Sequence, residues 1–164
     1  MVFYPAISQS LLLALLTHNP LVLVMNGYVL CFFYSQFPDT SPTAAVIPFI
    51  VGMWLPLTAW EISRKQRIPS DETDYETYSR LWGWKNSALV PSLLIICATC
   101  LIAETGLKIG YGTTWLAVLV IAALIPIAAG LRFRLAPTTG SSKLQPFSEV
   151  YILFVDCSLM ITPV

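Results

Sequence analysis

The charge on this chain is crowded into one place, and that limits what the chain can become. Of its eighteen Lys, Arg, Asp and Glu residues, ten lie between Glu61 and Lys85, in EISRKQRIPSDETDYETYSRLWGWK. Apolar runs of membrane-entering length flank this stretch on both sides. The whole is 56% apolar and 11% charged, with a mean hydropathy of +0.71, where soluble domains carry about 25% charged residues. Such a pattern predicts an all-α fold, a polytopic bundle of transmembrane helices with one polar loop held at its end. The formal net charge is zero, and the segregation leaves no broad basic surface, so nucleic acid is excluded as a partner. The partner that composition does demand is a lipid bilayer.

Taken in order, the chain first offers a short apolar run over 7–17. His18-Asn19-Pro20 stops it, because the residue before a proline is steered away from helix. It reads as a membrane-edge helix, with His18 as a helix-end residue and not a ligand. No positive n-region precedes it, so no cleaved signal is expected. Spans are then predicted over 20–37, 43–62, 86–103, 113–131 and 147–162, about five membrane helices in a single membrane domain over residues 1–164. Pro48 and Pro56 fall inside the second. The last contains Asp156, and an ionisable group at that depth must face protein or water. Cys31, Cys97, Cys100 and Cys157 all fall in these spans, and the Cys97–Cys100 spacing reads as two small packing residues, not a redox pair.

The bases set the orientation. Loop 63–85 carries five Lys and Arg and loop 132–146 carries three (Arg132, Arg134, Lys143), while loop 38–42 has none and loop 105–112 has only Lys108. Two spans separate the basic loops, so both lie on one side, and the positive-inside rule makes that side cytoplasmic.

Within the charged stretch, Glu61, Arg64 and Lys65 share one helix face, and Arg67 extends the basic strip until Pro69 breaks it. Asp71 and Asp74 are three apart, so on a helical turn both carboxylates point the same way. Thr73 and Glu76 have capping-box spacing, which predicts a short helix starting near Thr73. Convergent carboxylates facing Arg and Lys suit a magnesium–diphosphate. Mg²⁺ takes one or two carboxylates plus phosphate oxygens and keeps its waters, while Arg and Lys neutralise the remaining charge. The same charge content also suits a loop that only sets topology.

The order of the residues carries more than their number. Glu61, Arg64, Lys65, Arg67, Pro69, Asp71 and Glu72, then Thr77, Tyr78, Ser79 and Gly83, form ExxRKxRxPxDE followed by TYSxxxG. This resembles the second Asp-rich motif of the UbiA superfamily of membrane prenyltransferases. The resemblance implies the C-terminal half of a nine-helix bundle that binds a polyprenyl diphosphate through Mg²⁺ and transfers the prenyl group to an aromatic or other lipophilic acceptor. By the same resemblance, Asp71 and Asp74, with Glu72 helping, would ligate the metal. Arg64, Lys65, Arg67, Tyr78 and Lys85 would hold the diphosphate. The family's first motif, of NxxxD type, has no counterpart here, since neither Asn19 nor Asn26 has an Asp four residues on. The expectations are therefore a prenyltransferase half that is inactive alone and takes a partner chain for the N-terminal half, or a non-catalytic subunit or diphosphate-lipid binding protein.

Overall fold

The structure, a computed structural model, describes residues 10–37, 39, 44–72 and 76–160, apart from the side chains of Ala14 and His18. Thr73, Asp74 and Tyr75 lie outside the described residues, as does the side chain on which the reading of His18 depends. Among the described residues there are helices and no strands. They are α1 (Leu11–His18), α2 (Leu21–Gln36), α3 (Val46–Arg64), α4 (Tyr78–Trp82), α5 (Trp84–Ser87), α6 (Leu89–Lys108), α7 (Thr113–Leu135) and α8 (Gln145–Leu159), with a 3-10 turn at Pro69–Asp71.

Among the described residues, four helical stretches are long and apolar enough to cross a membrane: Leu11–Gln36, Val46–Arg64, Trp84–Lys108 and Thr113–Leu135. This corrects the expectation of about five. The run before Pro20 and the span after it form one stretch of 26 residues. As expected, α1 ends at His18 before Pro20, and α2 starts directly after it at Leu21, with hydrogen bonds that bridge the junction. The Asn19 N–H still reaches the Leu15 carbonyl at 3.3 Å, and the Leu23 and Val24 N–H groups both reach the Pro20 carbonyl, at 2.9 and 3.2 Å. Trp54 Nε1 donates to the Asn19 carbonyl at 3.0 Å, and Thr58 Oγ1 donates to Asn19 Oδ1 at 2.7 Å. At the other end of the chain, α8 has 15 residues, which cover about 22 Å at 1.5 Å per residue against a hydrocarbon core of about 30 Å. Residues 161 and 162 of the expected fifth span lie outside the described residues.

The core forms where α3, α6, α7 and α8 meet. Ala59, Ile95, Ile102, Leu119, Tyr151 and Val155 are buried there together. Helices in lipid gain little from the hydrophobic effect between them and associate through close packing at small residues and through hydrogen bonds. Both devices are present. Ser63 Oγ lies 3.0 Å from Ser148 Oγ between α3 and α8, and Thr99 Oγ1 lies 2.9 Å from Tyr151 Oη between α6 and α8. Trp115 Nε1 donates to Ser158 Oγ at 3.1 Å, tying α7 to the far end of α8. The helix α2 buries none of its residues and touches mainly α3. The cysteines are all free and exposed, so Cys97 and Cys100 do not pack inside the bundle as expected.

Gly52 lets α3 and α6 approach. A methyl group there would sit 2.9 Å from Ile102 Cγ1 and 3.2 Å from Leu101 Cβ, both anchored on α6. Gly52→Val is therefore expected to destabilise the bundle by about 1–3 kcal/mol, the usual cost of overpacking. Reversible unfolding in mixed micelles measures it, and an unchanged midpoint would mean that the two helices separate freely at this point.

A charged cavity between two loops

Arg64 ends α3, and the chain turns there. The Lys65 N–H bonds the Ile62 carbonyl at 3.2 Å, and Pro69 starts the 3-10 turn, whose Asp71 N–H returns to the Ile68 carbonyl at 3.0 Å. This places Arg64, Arg67 and Asp71 around a cavity of about 360 Å³. Its opposite wall comes from the loop between α7 and α8, through Thr139, Ser142, Lys143 and Gln145. The two basic loops thus lie at the same end of the bundle, as the alternation of bases required.

The cations differ in how they are held. Glu61 takes Arg64 in a two-point contact, Nε to Oε2 at 2.5 Å and Nη2 to Oε1 at 2.9 Å. Lys65 Nζ approaches the same carboxylate at 3.2 Å, with a side chain only 11% exposed. The Arg64 guanidinium also stands over the Trp60 ring at 5.5 Å, and Trp60 Nε1 donates to Glu149 Oε1 at 2.9 Å. Glu61 therefore orients two cations, of which Arg64 is the more exposed. Arg67 is arranged differently, since its Nη1 donates to the Gln66 carbonyl at 2.7 Å. No carboxylate among the described residues stands within ion-pair distance of it.

Of the residues the motif singles out, Arg64, Arg67 and Asp71 line the charged cavity, and Lys65 lines a neighbouring one with Trp60, Glu61 and Arg64. Tyr78 and Lys85 line neither. Tyr78 is fully buried against Leu11 and Ile62 and lies against Trp82 with ring centroids 5.1 Å apart. Lys85 is exposed, its ammonium 5.4 Å from the Trp84 ring. Glu72 accepts from Thr77 Oγ1 at 2.6 and 2.8 Å. Thr77 itself caps α4 by accepting from the Arg80 N–H at 3.2 Å. A helix among the described residues begins at Tyr78, the expected start near Thr73 lies outside them, and Glu76 Oε2 accepts from the Leu11 N–H at 3.4 Å. Asp74 lies outside the described residues. Among those described, no three His, Cys, Asp or Glu side chains converge, and Asp71 is the carboxylate on the charged cavity. One carboxylate thus shares this cavity with the basic side chains of Arg64, Arg67 and Lys143.

Two residues that matter here escaped the sequence reading. Gln66 sits between Lys65 and Arg67 and is fully buried. Its Nε2 donates to the Ser87 carbonyl at 3.0 Å, and its Oε1 accepts from Ser87 Oγ at 2.8 Å and Ser79 Oγ at 3.3 Å. Ser79 Oγ also accepts from the Arg67 N–H at 2.7 Å. An uncharged amide amid bases is a weak signal, because nothing local distinguishes it from a surface residue. Lys143 was visible only as a topology charge, although placing both basic loops on one side already put it near the motif. Gly83, with φ +75°, joins α4 to α5 in a conformation that side chains other than glycine's rarely adopt.

Two further cavities lie near the charged one. Arg64 borders both it and the neighbouring cavity, and Val22 and Leu57 border both that one and an inner cavity of about 310 Å³. Phe49, Met53 and Ile152 make the inner cavity apolar, and Asn26 and Asp156 are its polar lining. Asp156 thus faces a cavity, as its depth demanded.

Gln66→Leu keeps the volume and strands the Ser87 carbonyl and the Ser79 hydroxyl. The expected loss is about 2–3 kcal/mol, from buried polar groups without partners, measured by unfolding in mixed micelles. A loss below about 0.5 kcal/mol, the scatter of neutral surface changes, would mean that water reaches the site and replaces the amide. Compared with protein-family models, curated proteins and solved structures, the chain matches none of them.

Proposed function

We propose that this chain is a UbiA-like membrane prenyltransferase, or the C-terminal half of one, that binds a polyprenyl diphosphate with Mg²⁺ at the cytoplasmic end of the bundle. The observation that carries the reading is a charged cavity and an apolar cavity that each share lining residues with a third. Arg64, Arg67 and Asp71 line the charged one, and Leu57, Val22 and Phe49 line the apolar one. An amphiphile with a diphosphate head and a hydrocarbon tail suits a charged and an apolar cavity side by side, and a loop that merely set topology would need neither.

In this reading Arg64 and Arg67 hold the phosphate oxygens, and Glu61 keeps the Arg64 fork aimed. Asp71 would be the residue to hold a Mg²⁺, which when bound would supply positive charge to a departing diphosphate. The allylic C–O bond breaks with its electron pair going to the diphosphate, and the acceptor closes a new bond to carbon and releases a proton. The apolar cavity walls exclude water from the cation. A second reading, a subunit that binds the diphosphate lipid without transferring it, is favoured by the presence of Asp71 alone as the carboxylate on the charged cavity among the described residues.

Asp71→Asn is expected to abolish the Mg²⁺ dependence of farnesyl diphosphate binding to the purified chain. Arg67→Gln should cost about 1.5–3 kcal/mol, the worth of a hydrogen bond to a charged group, for farnesyl diphosphate and much less for farnesol. Mg²⁺-dependent binding that survives Asp71→Asn would return the loop to a topology role. Equal losses for both ligands would make Arg67 a structural residue.

Transfer by the 164-residue chain alone is expected to be undetectable, because charge developing on the leaving group needs metal and fixed cations where it appears. Here one carboxylate cluster serves where the resembling family uses two. Co-expression with a polypeptide bearing an NxxxD motif should restore turnover. Robust transfer by the chain alone would refute the need for a second cluster, and binding without rescue would favour the non-catalytic reading.

A further inference from the structure

We propose that Lys143, on the loop between α7 and α8, binds phosphate in the charged cavity, so that one diphosphate bridges two loops that are far apart in sequence. The proposal rests on reading the cavity as a diphosphate site, and it adds the second wall to that site.

Lys143 lines the same cavity as Arg64, Arg67 and Asp71. Among the described residues neither Lys143 nor Arg67 has a carboxylate within ion-pair distance. Two such cations facing one concavity repel each other, and an anion between them removes the repulsion and gains from both. Asp71 on the same rim narrows the choice of anion. A simple carboxylate would meet repulsion there, whereas a diphosphate can bring a divalent cation that turns Asp71 into a ligand.

The loop is built to hold Lys143 in place. The Thr138 N–H donates to Ser141 Oγ at 2.8 Å, the Ser141 N–H donates to Thr138 Oγ1 at 3.0 Å, and Ser141 Oγ donates to the Ala136 carbonyl at 2.9 Å. The next residue, Leu144, is buried with Phe133 and Ala88. Beyond it the Ser63–Ser148 contact fixes the start of α8 to the helix that carries Arg64. Both walls therefore stand on one scaffold, and little ordering of backbone remains to oppose binding. The hydroxyl-bearing residues Thr139 and Ser142 flank Lys143 on the cavity wall. Lys85, which belongs to the motif by sequence, lies outside the cavity and serves as an internal control.

The test is lysine acetylation with acetic anhydride on the full chain in micelles with Mg²⁺, read by mass spectrometry, with inorganic diphosphate in one arm and farnesyl diphosphate in the other. Lys143 should be protected in the bound arms while Lys85 labels equally in all. Lys143→Gln should weaken binding roughly tenfold, as loss of one charge-assisted hydrogen bond predicts, and Lys143→Arg should restore most of it. Farnesyl diphosphate binding with Lys143 unprotected, or with Lys143→Gln binding like wild type, would overturn this assignment and leave the prenyl-diphosphate reading standing. Protection by inorganic diphosphate with no preference for the prenyl ester would keep Lys143 and remove the lipid. Binding of neither would overturn both.

Discussion

A single primary amide, sealed from water, organises the polar end of this molecule. Gln66 uses its Nε2 on the Ser87 carbonyl and its Oε1 on the hydroxyls of Ser79 and Ser87. Those partners sit on α4 and α5, while the amide itself belongs to the segment leaving α3. One side chain thus joins the three pieces of backbone that bracket the charged stretch. Buried polar groups cost about 1–3 kcal/mol when left unpaired, so these hydrogen bonds hold the three pieces together. Arg67 benefits directly, since its N–H bonds Ser79. The cations at the cavity stand where they do because an uncharged network beneath them holds the backbone.

That network also divides the motif into two kinds of residue. Arg64, Arg67 and Asp71 face the cavity. Glu61, Glu72, Thr77, Tyr78, Ser79 and Gly83 hold the loop, by orienting cations, capping α4, filling the core or permitting a turn. A pattern of eleven residues therefore reflects mostly the demands of a sharp, rigid re-entry from membrane to loop and back. The acids and bases that line the cavity are the smaller share, and the second loop contributes its own through Lys143.

The bilayer governs the rest. Hydrophobicity cannot separate a lipid-facing leucine from one packed on a neighbouring helix, because both environments are hydrocarbon. Leu119 and Leu124 lie on the same helix and read alike, yet one is buried and the other exposed. The proline at 20 reads as a stop because a lone chain would lose hydrogen bonds there. The helix α1 does end before it, and the apolar stretch continues as α2 while Trp54 and Thr58 of α3 engage Asn19.

What the sequence by itself determined was the class of molecule and the end at which its charge gathers. Both follow from the one-dimensional order of apolar and charged residues, which the cost of burying charge in lipid converts directly into topology. Even the meeting of the two basic loops could be deduced, from the parity of the spans between them. Only the tertiary structure decided which members of the charged stretch share a cavity, that Tyr78 is core, that Gln66 is the hub, and that Lys143 completes the rim. Those outcomes depend on contacts between residues distant in the chain, and a distance through space leaves no mark on local sequence until the helices have packed.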